Sequence, residues 1–289
     1  PKCKGINVVK RGTSPTQNRG VQQRHLCKDC KKTFIQDLGF WKMKNSEAKV
    51  TAGIDLYFSN LSSRKVRNHF RRHWQHNASH VSILDWCRKY TLKVQKYVNT
   101  LQPQLSGQFY MDETEIDRGR GNDIFWCNVD WGTRYINSTM YSPHNQTVED
   151  AIAFLKQTCA KGKPKFIQTD AGQFYPQAMH KLFYNIHIKA SNNDRMEVEH
   201  RVINYNKTGK HNVRIETVFM KIKDRVDDFR GLKALWSAPI LMQGIILQHN
   251  FIESHTTTGK IPAELAGMKL ETGVNKWSGL IKLASTKTY

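Results

Sequence analysis

The spacing of apolar residues changes character near residue 105, and that change limits the possible folds more than any other feature of the chain. Before it, the spacing is helical. Ser46 is a good N-cap, and Val50, Ile54, Leu56, Tyr57 and Phe58 follow it. A second short helix is expected from Ser62 to about His73, with Val66 and Phe70 four apart. A third starts near Ser79, with Val81, Leu84, Cys87 and Leu92 on one side. Pro103 and Gly107 then mark a linker. Beyond it, Gln108–Ile116, Ile124–Trp131 and Tyr135–Tyr141 read as strands joined by short connections rich in Gly, Asn and Thr, an antiparallel meander. Val148–Cys159 reads as a helix, Lys165–Thr169 as a short strand, Tyr175–Phe183 as a helix and Ile186–Ala190 as a fifth strand. Three strands followed by alternating helix and strand predict an α/β domain with a mixed sheet. A helical segment and a small turn-rich module over residues 1–38 precede it.

Charge divides the chain in the same place. Lys and Arg number 45 against 24 Asp and Glu, a net charge of +21. Residues 1–100 hold 21 of the basic residues and 5 of the acidic ones, leaving 24 and 19 for the rest. A solubilising surface would mix the signs. A basic front end joined to a nearly balanced back end fits a nucleic-acid-binding module ahead of a second domain. No apolar run approaches the roughly 18 residues of a membrane helix; Gln243 and Gly244 interrupt the longest, Leu241–Leu247. No stretch pairs a basic face with a clean apolar one, as a membrane-surface helix would. There is no signal-peptide pattern, and the first residue is Pro1 rather than Met, so the natural N-terminus is expected to lie upstream.

Of six cysteines, three cluster near the front: Cys3 and the knuckle Cys27-Lys28-Asp29-Cys30. In a reducing compartment, here the cytoplasm at the nucleoid, that cluster reads as a structural zinc site rather than a disulfide. Structural zinc takes four ligands. A Cys just before Pro1 is expected to supply the fourth. His25 is the alternative, although its close spacing to Cys27 suits a strand residue facing away. Unliganded thiols are the plainer reading. The segment from Ser62 to Tyr90 fits a helix-turn-helix, whose second helix enters the major groove. Ser79, His80 and Ser82 are the candidates for base edges, and Arg64, Lys65, Arg67, Arg71, Arg72, Arg88 and Lys89 for the DNA backbone. The plain alternative is a helical linker with solvated charges.

Three acids beyond residue 105 stand in distinctive settings. Asp112 lies inside the first strand beside Phe109 and Met111, where a carboxylate is costly unless paired or bound to metal. Asp170 ends the fourth strand, two residues before Gly172. Glu216 flanks the apolar helical stripe Ile215, Val218, Phe219, Ile222, Val226 and Phe229, with Lys223 two turns on along nearly the same face. A solvated or ion-paired side chain is the plain reading of each acid alone.

Together these pieces resemble the transposases of prokaryotic insertion sequences that carry a DDE catalytic domain. Pro1-Lys2-Cys3 with Cys27-Lys28-Asp29-Cys30 resembles their zinc ribbon, and residues 62–90 their helix-turn-helix. Met111-Asp112-Glu113-Thr114 and Gln168-Thr169-Asp170-Ala171 resemble the segments with the first two catalytic acids. Asn212-Val213-Arg214-Ile215-Glu216, running on through Lys223-Asp224-Arg225 to Arg230-Gly231, resembles the third. Gln248-His249-Asn250-Phe251-Ile252, His255 and Gly259-Lys260-Ile261-Pro262-Ala263-Glu264 resemble the segment that follows.

The resemblance implies an RNase H-like mixed sheet flanked by helices over residues 105–266. A zinc ribbon over 1–38 and a helix-turn-helix domain over 45–100 would precede it, and a tail over 267–289 would follow. It implies two Mg²⁺ or Mn²⁺ ions held by Asp112, Asp170 and Glu216, with Lys223 on DNA near the scissile phosphate. It also implies a homo-oligomer, expected to be a dimer, that binds the terminal inverted repeats of its element and a target duplex. A transposase-derived regulator without catalysis, or a nuclease that cuts without joining, would share much of this sequence. One departure stands out: Asp170 and Glu216 are 46 residues apart, longer than the family leads one to expect, with the surplus between Ser191 and His211. Glu197 and Glu199 lie in that stretch as rivals for the third acid, on a segment that alternates like a strand or exposed loop.

Overall fold

A computed structural model of the chain describes residues 3, 5–16, 20–74, 78–117, 121–142, 146–188, 195–204, 209, 211–228, 232 and 234–286. Its contacts divide the chain into two units. One comprises Pro1–Tyr57, Ser63–Thr100 and Glu271–Tyr289; the other comprises Phe58–Ser62 and Leu101–Leu270.

The first unit opens with an antiparallel sheet of β1 (Val8–Thr16), β2 (Gly20–Cys27) and β3 (Thr33–Ile35). The Cys27 amide donates to Lys32 O at 3.0 Å, and Lys31 adopts φ 58°, so the chain turns tightly and returns Cys30 towards Cys27. Three helices follow: α1 (Glu47–Phe58), α2 (Ser63–Trp74) and α3 (His80–Val98). Ser46 caps α1 by accepting the Lys49 amide at 3.5 Å. On α2, Val66 and Phe70 are buried while Arg64, Lys65, Arg71 and Arg72 are exposed. The expected apolar face of α3 needs correction: Val81 and Leu92 are half exposed, and Ile83, Trp86, Cys87, Tyr90 and Val94 are buried. That set keeps a three- to four-residue spacing along the whole helix, and it hides Trp86 and Tyr90, the side chains with most area to remove from water. Within the stretch read as a tail lies a helix, Lys276–Thr286. Its Trp277, Leu280, Ile281 and Ala284 recur at helical spacing, are buried, and pack the helix onto α3.

The second unit is built on a five-stranded sheet in the order β6-β5-β4-β7-β8. The meander β4 (Gln108–Asp117), β5 (Asn122–Asp130) and β6 (Tyr135–Ser142) is antiparallel. After α4 (Val148–Cys159), β7 (Phe166–Asp170) lies parallel to β4; after α5 (Phe174–Phe183), β8 (Glu199–Ile203) lies parallel to β7. This mixed sheet with flanking helices is RNase H-like. The fifth strand is therefore Glu199–Ile203 and not Ile186–Ala190. Ile186–Ile188 form a turn in which Ile186 is exposed, and residues 189–190 lie outside the described residues. The physical reason is a bridge between Tyr184 and Met196, which closes the intervening segment off as an excursion and lets Val198 enter the core instead.

Strand alternation sorts the faces of this sheet. Phe109, Met111 and Trp126 pack with Phe154, Tyr175 and Met179 of α4 and α5. Helix α6 (Val213–Asp228) packs on β4 and β5, with Ile215, Val218, Phe219, Ile222 and Val226 buried. The last residue of its expected stripe, Phe229, lies outside the described residues with Arg230 and Gly231. Helix α7 (Ala238–Leu247) runs into a π-helical turn, Gln248–Ile252, where Asn250 exchanges two hydrogen bonds with the Ile136 backbone on β6.

The entry into β4 is fixed by a buried carboxylate. Asp130 accepts the amides of Ser106, Gly107, Gln108 and Thr133 and the hydroxyls of Ser106 and Thr133, at 2.6 to 3.2 Å. Gly107 turns the chain there with φ 81°, and a Cβ would sit 3.0 Å from the Lys165 nitrogen. Among the described residues no helix is long and apolar enough to cross a membrane.

Candidate active site

Register brings two of the expected acids together. On the parallel pair β4 and β7, Gln108 faces Phe166, Phe109 faces Ile167 and Tyr110 faces Gln168. Two residues further along the same register, Asp112 stands beside Asp170, on strands about 4.8 Å apart. Asp112 shares the parity of Tyr110, the residue covered by Arg214 of α6, so it belongs to the face on which that helix packs. Glu113 takes the other parity and accepts a hydrogen bond from the Tyr175 hydroxyl at 2.6 Å. Because β7 ends at Asp170 while β4 continues, Glu113 can approach from its own side. One carboxylate oxygen each of Asp112, Glu113 and Asp170 lie within 4.8 Å of one another.

These acids carry more negative charge than their surroundings balance. Burial pushes the Asp112 carboxyl up to about 7; the Asp170 and Glu216 charges add to the rise, while the Glu113 amide and Lys223 oppose it. Burial likewise pushes Glu113 up to about 8, reinforced by Asp112 and Asp170 and opposed by the Tyr175 hydrogen bond. Burial, then the Glu113 charge, raises the Tyr175 phenol well above its ordinary value. An oxygen-only donor set that lacks a counter-charge is what a hard divalent cation such as Mg²⁺ or Mn²⁺ takes, so the residues present fit such an ion.

On α6, Glu216 lies close enough for its charge to act on Asp112, as does Lys223. Glu216 is partly exposed, with Oε1 3.5 Å from His211 Nδ1. The two rivals are engaged otherwise: Glu197 accepts from Asn185 at 2.8 Å, and Glu199 is held by Arg201 through two 2.8 Å bonds.

In the first unit, the thiols of Cys3, Cys27 and Cys30 converge, one sulfur each within 4.8 Å of the others. The Lys32 amide, donating to Cys30, brings that thiol down to about 7. His25 stacks on Phe34 and does not join the thiol group. Among the DNA-contact candidates, Ser79 is the N-cap of α3: its hydroxyl accepts the Ser82 amide at 3.0 Å and also meets the Ser82 hydroxyl at 3.0 Å. His80 begins the helix. Arg88 reaches Asp85 at 3.3 Å, and Lys89 lies 3.4 Å from Met43 Sδ and over the Tyr90 ring. Arg67 is half-buried and bonds Asn68, leaving Arg64, Lys65, Arg71 and Arg72 as the exposed cations of α2.

Sequence reasoning left three features unread. Glu113 and Tyr175 are one; the signal was the second acid in Asp112-Glu113, which in a strand must face the apolar side. Another is an aromatic shelf, where Arg134 lies 3.4 Å and Arg214 5.1 Å from the Trp131 ring centroid. Asn212, treated below, is the third.

Residues 107–255 match the family model described as a DDE domain, just over half of the chain. The chain belongs to the DDE-domain family of insertion-sequence transposases. No curated protein matches the sequence. Among solved structures, the cryo-EM structure of a simian T-cell lymphotropic virus intasome in complex with PP2A regulatory subunit B56 gamma is similar with a TM-score of 0.39 and 15% identity, over 74% of this chain and 72% of that one. The HTLV-2 integrase catalytic core domain in complex with magnesium is similar in its trimeric and dimeric forms, each with a TM-score of 0.39 and 16% identity, over 57% of this chain and 98% of that one.

Proposed function

We propose that this DDE-family chain is a DNA transposase that cuts at the ends of its element and joins the freed 3′-hydroxyls to target DNA. The observation that carries the reading is the register of β4 and β7, which sets Asp112 beside Asp170 in a domain of this family, with the charge of Glu216 reaching the pair. Asp112, Asp170 and Glu216 are the acids assigned to hold Mg²⁺ or Mn²⁺, with Glu113 as a fourth carboxylate at the same edge. Two bound ions supply an activated oxygen nucleophile and stabilisation of the leaving oxygen at a phosphodiester. The protein's own part is to hold the acids in one place, to keep Lys223 and Arg214 exposed on α6 for the DNA backbone, and to bury the supporting carboxyl of Glu113 against Tyr175.

The remaining roles follow the same reading. Residues 1–38, with Cys3, Cys27 and Cys30 on a structural Zn²⁺, and residues 45–100, with the cations of α2 and the start of α3, grip the element ends; residues 105–266 do the chemistry. Two ends must be held together, so the working form is an oligomer of this chain.

A strand-transfer assay with labelled element ends tests the proposal. The wild type is expected to cut and then join in Mg²⁺. Asp112→Ala, Asp170→Ala and Glu216→Ala are each expected to abolish both steps while DNA binding is retained. Cutting without joining would make the protein a nuclease, and unimpaired cleavage after any one change would remove that residue from the triad.

A further inference from the structure

We propose that Asn212 is a positioning residue: its side chain ties the start of α6, and through it Glu216, to both strands that carry the aspartates. This rests on the reading of Glu216 as the third acid. Asn212 is buried, with 4% of its surface exposed. Its amide works in two directions. Oδ1 accepts from Gln168 Nε2 at 3.1 Å, and Nδ2 donates to the Met111 carbonyl at 3.4 Å. Met111 immediately precedes Asp112 on β4. Gln168 precedes Asp170 by two on β7 and so shares its face. The backbone carbonyl of Asn212 accepts the amides of Ile215 and Glu216, both at 3.1 Å, so the helix that carries Glu216 begins at this residue. A short run of bonds thus joins all three elements that supply the acids.

The rest of the helix does not need this clamp to stay docked. Ile215, Val218, Phe219, Ile222 and Val226 are buried and attach α6 to the sheet over four turns. An apolar stripe of that kind resists undocking but tolerates small sliding and rolling, because dispersion contacts have no strong directional preference. Hydrogen bonds have it. Asn212 therefore contributes the axial and rotational setting of the first turn, the quantity on which a ligand at Glu216 depends most. Only a neutral amide fits both partners: an ionised Asp would accept from Gln168 but would set its charge against the Met111 carbonyl.

The test is a double-mutant cycle read as Mn²⁺ affinity of the full chain by calorimetry or by electron paramagnetic resonance, with no DNA and no turnover. Outer partners that orient a metal ligand typically change affinity by 10- to 100-fold. Asn212→Ala is expected to weaken Mn²⁺ binding about tenfold when Glu216 is present, and by less than twofold in the Glu216→Ala background. Gln168→Leu, which removes one partner and leaves Asn212 in place, is expected to show the same dependence on Glu216, and it serves if Asn212→Ala does not fold. An equal loss in both backgrounds, or no loss when Glu216 is present, overturns the assignment. If Glu216→Ala itself leaves Mn²⁺ affinity unchanged, the triad falls, and the role of Asn212 falls with it; that result is separate from one in which only the Asn212 variants are silent.

Discussion

Replacing Asp112 with Asn should make the metal-free protein more stable, and only at neutral and alkaline pH. Asp112 sits in an unfavourable place for a charge: burial, Asp170 and Glu216 together raise its carboxyl from 3.8 to about 7. In the unfolded chain it ionises near its ordinary value. Between about pH 4 and 7 the folded protein therefore holds a proton that the unfolded chain has released, and stability falls as pH rises through that window, levelling off above it. Each pH unit is worth about 1.4 kcal/mol, so the full window approaches about 4 kcal/mol. Asp112→Asn removes this dependence at one atom's difference in shape. Urea unfolding in EDTA, followed by tryptophan fluorescence with Trp126 fully buried in the same unit, is expected to give similar midpoints for both proteins near pH 4.5. At pH 8 the variant is expected to be the more stable by up to about 4 kcal/mol. Saturating Mn²⁺ should then stabilise the wild type far more than the variant, because the ion supplies the missing counter-charge. A variant that is equally stable at both pH values relative to wild type, or less stable at pH 8, would refute the claim that Asp112 is held in a charge-poor site awaiting a cation.

Further outcomes follow from neighbouring contacts. Tyr175→Phe removes the hydrogen bond that lowers the Glu113 carboxyl from a position already near 8, so the pH of half-maximal Mn²⁺ binding should move upward in a calorimetric titration. Asp130→Ala strips six donors of their acceptor; with orphaned buried groups costing about 1–3 kcal/mol each, a loss of at least about 3 kcal/mol is expected in chemical unfolding. Arg214→Ala should weaken DNA binding evenly across sequences and reduce the slope of log affinity against log salt by about 1, measured by fluorescence anisotropy over a salt series. Cys27→Ser should abolish zinc retained through dialysis, measured by elemental analysis, while Mn²⁺ affinity of the second unit is unchanged.

Much of this was readable from residues alone, for physical reasons. The strands of the meander alternate cleanly, and α4 and α6 carry apolar stripes at helical spacing, so local pattern and final fold agree for them. Asp112 and Asp170 stood out because an acid inside or ending an apolar strand needs a partner. What was misread depended on pairings that sequence does not display. The fifth strand was assigned to the apolar run at Ile186 because Glu199–Ile203 is mostly polar and exposed, as an edge strand on a sheet can be. The face of α3 was misjudged because two overlapping apolar sets fit one helix, and only packing chooses between them. Asn212 looked like an ordinary cap. Its reach to Met111, 101 residues away, and to Gln168 exists only once β4, β7 and α6 are assembled.

The central claim, that the acids of β4, β7 and α6 meet at one divalent cation site, is tested most directly by anomalous scattering from a crystal of the protein soaked in Mn²⁺. The account predicts manganese bound by Asp112 and Asp170, with the Glu216 carboxylate turned from His211 to a ligand position. Manganese held by Asp112, Glu113 and Asp170 while Glu216 stays on His211, or no manganese between the strands at all, would contradict it.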